Sequence, residues 1–469
     1  MRFRLSILFL AAALAGCSKE PQVKYVFYMI GDGMGINQVM ATEQYNKATG
    51  NGPETINFAH FPMRGFVTTV SSSSLVTDSA AGGTALSSGV KTYNSAIGVD
   101  ADGNPVTSLA DWAKAAGYGT GVITSVGINH ATPACFMAHT ATRRNYEDII
   151  TQYFDGQVDF AAGGGIITER KTGHTPAYFE QKADSAGITV LRGIEAFAQV
   201  ESIDGRVLCL GNRPESDLPY AIDRQEGDVA LSHFVEAGIR YLESHFGDKG
   251  FFCMVEGGKI DYGGHGNDAA ACFRELTDFA EAMDVVLAFK ERHPDETLIV
   301  VTADHETGGL MLGAGKYEIH PELLAAQKRS APELTTLFKD AFFPEGQPYK
   351  APSWEAVKAF FTAELGLWDS VDVSESAEAE LKDTYDKTFG KGGDRNLGER
   401  NLYAVNSKMV SDAVRCLDAA AGYQWSYGSH SGSPVGLYAD GRCASAFNTV
   451  RDNTVIAPLI AQLAGYCRE

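Results

Sequence analysis

Five short, almost wholly apolar runs, each ending near glycine or a polar residue, limit what this chain can become. They are Lys24 to Ile30, Gly119 to Thr124, Val158 to Ala162, Phe251 to Val255 and Thr297 to Val301. Runs of that length without alternation are buried on both faces, the condition of strands in a parallel sheet. Helical stretches lie between them. One is expected from about Met34. In Ala270 to Lys290, the residues Phe273, Leu276, Phe279, Ala280, Met283, Val286 and Leu287 recur at helical spacing and form one apolar face. Strands alternating with helices predict an α/β fold, a three-layer sandwich with a central, mostly parallel sheet covered on both sides. At 469 residues and 44% hydrophobic, the chain can bury a large core.

Residues 313–424 read differently. Charge rises, Asp369 to Asp383 is acidic, helical periodicity dominates and no strong buried strand appears. This segment is expected to be a helix-rich inserted cap before the chain returns to the sheet near Gly436. The α/β domain then comprises residues 24–312 and 425–469.

The N-terminus reads as a targeting segment. Arg2 and Arg4 flank the apolar run Leu5 to Ala15, too short to span a bilayer, so residues 1–16 are expected to be a signal peptide. Leu14-Ala15-Gly16-Cys17 resembles the lipobox of bacterial lipoproteins. That resemblance implies cleavage before Cys17, lipidation of its thiol and a tether over residues 17–23. With no aspartate directly after Cys17, it also implies the outer membrane, facing the periplasm or the cell surface. The membrane would be touched through the lipid anchor only. Of eight cysteines, seven remain after Cys17, an odd number. Cys135 and Cys253 lie in apolar runs as small buried hydrophobes. Cys209, Cys272, Cys416, Cys443 and Cys467 are candidates for a bridge. No Cys-x-x-Cys spacing exists, which argues against a thiolate zinc site.

The formal net charge is −20, which argues against nucleic acid as a partner of the bulk surface. In a parallel sheet, ligands bind beyond the carboxyl ends of the strands. Here those ends are rich in metal-binding types. Asp32 follows the first run. Glu256 follows Phe251 to Val255, with Asp261 and His265 close behind. Asp304 and His305 follow Thr297 to Val301, and His430 lies in Gly428-Ser429-His430-Ser431-Gly432. Asp, Glu and His without cysteine suit catalytic zinc with magnesium alongside. Singly, each has a bland reading: a turn aspartate, a helix cap, a loop histidine. Decoration of so many strand ends by accident is the less economical account. A nucleophile is offered by Thr77-Asp78-Ser79-Ala80-Ala81, where Ser79 would open a helix whose N–H groups and dipole favour an anion. The plain alternative is that Thr77 or Asp78 caps a helix and Ser79 is filler. No histidine lies in that stretch, so a metal is the expected activator of the serine.

The segments Ile30-Gly31-Asp32-Gly33-Met34-Gly35, Thr77-Asp78-Ser79-Ala80-Ala81, Val255-Glu256-Gly257-Gly258-Lys259-Ile260-Asp261 and Thr302-Ala303-Asp304-His305 resemble those of alkaline phosphatases. Gly89-Val90-Lys91-Thr92 and Ala131-Thr132-Pro133-Ala134 match too, in order, over residues 24–310 and again at about 425–469. The resemblance implies hydrolysis of small phosphate monoesters through a phosphoserine on Ser79. It implies one zinc held by Asp261, His265 and His430, which activates water, and a second held by Asp32, Asp304 and His305, which lowers the Ser79 pKa. It also implies a magnesium held by Asp32, Thr132 and Glu256. Arg143 is implied to grip two phosphate oxygens, as a guanidinium fork can; adjacent Arg144 is the alternative. Asp78, His130 and Tyr262 are implied to support the substrate and the third ion. Two departures stand out. His130 replaces the aspartate of the best-known bacterial enzymes, though some relatives also carry histidine there. Tyr262 stands where others have lysine, histidine or tryptophan. A phosphodiesterase or sulfatase of the same superfamily usually lacks the third ion site or the arginine, so Glu256, Thr132 and Arg143 argue against both. A non-catalytic surface lipoprotein would not need Ser79. Monomer against homodimer is left open.

Overall fold

In a computed structural model, the described residues are 23–156, 158–313, 317–346 and 350–466. The signal peptide, Cys17 and all of the tether but Val23 lie outside them, as does Cys467. A nine-stranded sheet runs through the molecule. Its strands are β1 (Tyr25–Gly31), β2 (Met63–Val67), β3 (Gly119–Thr124), β4 (Phe160–Gly163), β5 (Ile188–Arg192), β6 (Arg206–Leu210), β7 (Phe251–Gly257), β8 (Thr297–Thr302) and a last strand Val435–Gly441. Six shorter strands lie between β8 and that last one: β9 (Glu306–Thr307), β10 (Leu310–Leu312), β11 (Gly398–Arg400), β12 (Val405–Ser407), β13 (Tyr423–Trp425) and β14 (His430–Ser431), so that Val435–Gly441 is β15. The order across the sheet is β2-β15-β8-β1-β7-β3-β4-β6-β5. All neighbours pair in parallel except β15, which is antiparallel to both β8 and β2.

The expected buried strands are here. Every residue of β1, β3, β7 and β8 is buried, as continuous apolar runs require. The long helix Ala269–Arg292 starts where the Asp268 side chain accepts from the Ala271 N–H, and it buries Phe273, Leu276, Phe279, Ala280, Met283 and Val286. Its approach to the sheet is close. A Cβ on Gly257 of β7 would meet the Phe279 ring at 2.8 Å, so the last residue of that strand has to be small. Tyr25, Phe27, Phe251 and Phe289 pack with ring centroids 5.0 to 5.4 Å apart, joining sheet to helix.

Among the described residues between β10 and β13, which pair antiparallel, are four α-helices: Ala331–Phe342, Trp354–Leu365, Glu375–Phe389 and Lys408–Ala420. Ser330, Ser353 and Ser374 cap three of them. Phe338 gathers Phe361 and Phe389 into a small core. Strands β11 and β12 form a hairpin. Cys209 and Cys272, offered for a bridge, are buried free thiols, and Cys416 is also unbridged. Each sits within its own element, packed as a small apolar side chain.

Candidate active site

Adjacent strands β8, β1, β7 and β3 end side by side, and their ends carry the polar cluster. After β1 the chain must turn sharply. Gly33 takes φ +69°, and a Cβ there would strike the Asp261 backbone at 2.8 Å. That turn sets Asp32 against the ends of β7 and β8: its N–H bonds Gly257 O at 3.2 Å, and the Gly33 N–H bonds Asp304 Oδ1 at 3.2 Å. Asp261 and His265 lie one turn apart on the helix Lys259–Gly266, with Asp261 Oδ2 3.4 Å from His265 Nε2. His430 reaches the cluster because β14 pairs with β9, placing it opposite Thr307.

Hydrogen bonds fix the histidine tautomers. His265 Nδ1 lies 2.9 Å from Gly428 O, and His430 Nδ1 lies 2.9 Å from Thr77 O. A carbonyl only accepts, so each Nδ1 carries the proton and each Nε2 presents a lone pair inward. Those two Nε2 atoms are 3.1 Å apart. His305 is held likewise. Thr307 donates its hydroxyl proton to Asp261 Oδ1, so it accepts from His305 Nδ1 at 3.2 Å. His305 Nε2 then faces Ser79 Oγ at 3.2 Å, Asp304 Oδ2 at 3.4 Å and Asp32 Oδ1 at 3.5 Å.

The acids are crowded. Burial, then the charges of Asp304, Asp261 and Glu256, push the Asp32 carboxyl well up. Burial, then Asp261 and Glu256, push Asp304 up to about 7, and burial pushes Glu256 up to about 7. At Asp261 burial is outweighed by the positive charge that His265, His430 and His305 carry when protonated, which holds the carboxyl below its usual range. Burial and the Arg143 charge push His130 down to about 3.

Ser79 is the first residue of the helix Ser79–Ser88. Asp78 caps that helix by accepting from the Ala81 N–H at 3.0 Å, and it also accepts from the Ser95 N–H at 3.0 Å. Ser95 O in turn accepts the Arg143 N–H at 2.7 Å. Asp78 therefore both opens the serine's helix and braces the arginine's loop. Arg143 Nη1 lies 3.4 Å from Ser79 Oγ, and its Nη2 lies 3.0 Å from His130 Nε2. Arg144 is exposed. Thr132 Oγ1 is buried beside the Glu256 carboxyl. Tyr262 is buried, and its hydroxyl bonds Asp217.

Among the described residues, three sets of donor atoms each lie within 4.8 Å of one another: Asp261, His265 and His430; Asp32, Asp261 and His305; Asp32, His130 and Glu256. In the second set Asp261 stands where Asp304 was expected beside Asp32 and His305, and in the third His130 stands with Asp32 and Glu256. These residues fit cations. Asp32 Oδ1 and Oδ2, Asp261 Oδ2, Asp304 Oδ2 and Glu256 Oε1 are buried without a hydrogen-bond partner. Buried negative charge without a counter-charge is costly, and inward lone pairs 3.1 Å apart need something positive between them.

Two contributors escaped the sequence reading. Thr307 orients Asp261 and His305, and only its place two residues after His305 hints at it. Tyr403 arrives from the 313–424 segment and stacks on Tyr262 with centroids 3.6 Å apart; nothing in its local sequence marks it.

Comparison with known proteins gives the family. The sequence model of the family described as alkaline phosphatase matches residues 23–166 and 168–466. Alkaline phosphatase 4 of Bacillus subtilis is 31% identical, the alignment covering 95% of this chain and 89% of the relative. The crystal structure of a cold-active alkaline phosphatase from the psychrophile Shewanella sp. superposes with TM-score 0.75 at 31% identity, over 94% of this chain and 99% of that one. The Thermus thermophilus alkaline phosphatase gives TM-score 0.75 at 26% identity, over 96% and 93%. With the family's sequence pattern running through almost all of the described chain and solved members sharing its fold, the chain belongs to the alkaline phosphatase family of phosphomonoester hydrolases.

Proposed function

We propose that the chain hydrolyses phosphate monoesters to an alcohol and inorganic phosphate through a phosphoserine on Ser79, with two zinc ions and one magnesium ion resident. The observation that carries this reading is the position of Ser79 Oγ, 3.2 Å from His305 Nε2 and 3.4 Å from Arg143 Nη1. One zinc would be held by Asp261, His265 and His430, the other by Asp32, Asp304 and His305, and magnesium by Asp32, Thr132 and Glu256 beside His130. When bound, such ions lower the pKa of a hydroxyl or water and offset charge on the equatorial phosphoryl oxygens.

The chain's own residues do the rest. Ser79 Oγ gives its proton to solvent and attacks phosphorus. The Ser79 O–P bond forms, the ester P–O bond breaks, and the alkoxide leaves to take a proton from water. Arg143 presents parallel N–H groups to two phosphoryl oxygens and holds them in line. The Ser79–Ser88 helix turns its N-terminal N–H groups toward the anion. Water then cleaves the phosphoserine and phosphate departs.

The test is p-nitrophenyl phosphate turnover by the purified chain at alkaline pH. EDTA is expected to abolish it, zinc plus magnesium to restore it, and Ser79→Ala to lower it at least ~10³-fold. Turnover indifferent to chelation sinks the reading. Faster turnover of bis-p-nitrophenyl phosphate or p-nitrophenyl sulfate points to a diesterase or sulfatase instead. The leader motif supports an exported lipoprotein of the cell envelope, and the absence of palmitate label on Cys17 would count against that.

A further inference from the structure

We propose that Tyr403 is a phosphoryl-binding residue, supplied to the site by the β11–β12 hairpin; the inference rests on the reading of function just given. Its backbone is fixed by a built turn. Asn401 Oδ1 accepts from the Tyr403 N–H at 2.9 Å and the Ala404 N–H at 2.6 Å, while the Asn401 N–H bonds Ala404 O at 2.9 Å. Neighbours Leu402 and Val405 are exposed, while Tyr403 between them is largely covered. Its ring is fixed as well. It stacks on Tyr262 at 3.6 Å and 19°, meets His265 edge-on at 5.4 Å, and lies 5.8 Å from His130.

The hydroxyl is then left with a task. It is buried, no partner meets it in good hydrogen-bond geometry, and Asp261 is the protein acceptor that faces it. Its charged surroundings are Asp261 and Arg143, with Asp32 beyond them. Arg143 only donates, so it cannot take the phenol's proton. Asp261 already accepts from Thr307 at Oδ1, and in the metal-loaded protein its oxygens would be turned to a cation, which leaves the phenol without that acceptor. A buried hydroxyl without a partner costs free energy. An anion gripped by Arg143 in front of Ser79 supplies the missing acceptor. The phenol donates to a non-bridging phosphoryl oxygen, and the cap thereby contacts the reacting group while leaving the Tyr262 stack as its support.

Tyr403→Phe keeps the ring and removes the donor. Inorganic phosphate is titrated calorimetrically into the metal-loaded wild type and variant, with p-nitrophenyl phosphate kinetics and a thermal melt alongside. Phosphate affinity is expected to fall about tenfold and KM to rise about tenfold, with kcat within about twofold, because the bond serves ground and transition state alike. The melting temperature is expected to hold. Asn401→Ala, which frees the turn, is expected to weaken phosphate about threefold. Equal phosphate affinity in wild type and Tyr403→Phe overturns the inference, as does a loss matched by a lowered melting temperature. A wild type that binds phosphate through Tyr403 yet turns over no ester leaves this inference standing and removes the reading of function. A wild type that binds no phosphate removes both.

Discussion

At Asp32, burial and the charges of Asp304, Asp261 and Glu256 all push the carboxyl toward its protonated form. A side chain so placed is held for what it binds, at a cost to the bare fold. Asp32→Asn is therefore expected to stabilise the chelated protein by about 1–2 kcal/mol in denaturant unfolding while removing most ester turnover. Destabilisation of the chelated variant would show that the carboxylate serves packing. Arg143 and Arg144 separate as cleanly. Arg143→Ala is expected to lower kcat/KM by about 10²–10³-fold, and exposed Arg144→Ala by less than about twofold. Tyr262 is the residue whose environment reads least directly. Its hydroxyl bonds Asp217 and its ring supports Tyr403. Tyr262→Lys, which brings a cation toward phosphate, is expected to lower the phosphate inhibition constant. A variant that binds phosphate no better would make Tyr262 a packing residue alone.

The β11–β12 hairpin is tied down by Arg415, which bonds both Glu399 oxygens at 2.7 Å and also Asp412. The Arg415 bond outweighs burial and holds the Glu399 carboxyl below its ordinary 4.5. A carboxyl lowered by folding gives stability that is full above the unfolded value and fades as pH falls through the folded one. Glu399→Gln is thus expected to lower the melting temperature slightly at pH 7, since the pair is partly exposed. That difference is expected to shrink as pH falls below about 4.5. A difference that does not shrink on acidification would place its origin elsewhere.

Elements also differ in how far the sequence discloses them. Strands β1, β3, β7 and β8 announce themselves because both faces are covered, leaving uninterrupted apolar runs. Strands β2 and β5 lie at the two edges of the sheet and are partly exposed, so five mixed residues carry no such signal. The site divides the same way. Asp32, Glu256 and Asp304 sit at strand ends and can be found by position along the chain. Tyr403 and Thr307 act through contacts between distant segments, which local pattern does not encode.

Across the molecule, one buried cluster gathers acids within a chain already at −20. Cations bound there would stabilise the native state alone. EDTA is expected to lower the melting temperature, and zinc plus magnesium to restore it, whether or not substrate is present. A melt unaffected by chelation would show that the acids are tolerated without ions. His430, fixed by its β14–β9 pairing, makes a donor set that is complete only with the C-terminal part of the chain. Strand β1 poses a related problem of timing. It lies near the front of the chain, yet its neighbours on either side are residues 251–257 and 297–302. During synthesis, its seven buried residues must wait for more than half the polypeptide before either ladder can close. Until then, this segment is a sticky, unsatisfied surface, which argues for escort by a holding chaperone and against independent folding of N-terminal fragments.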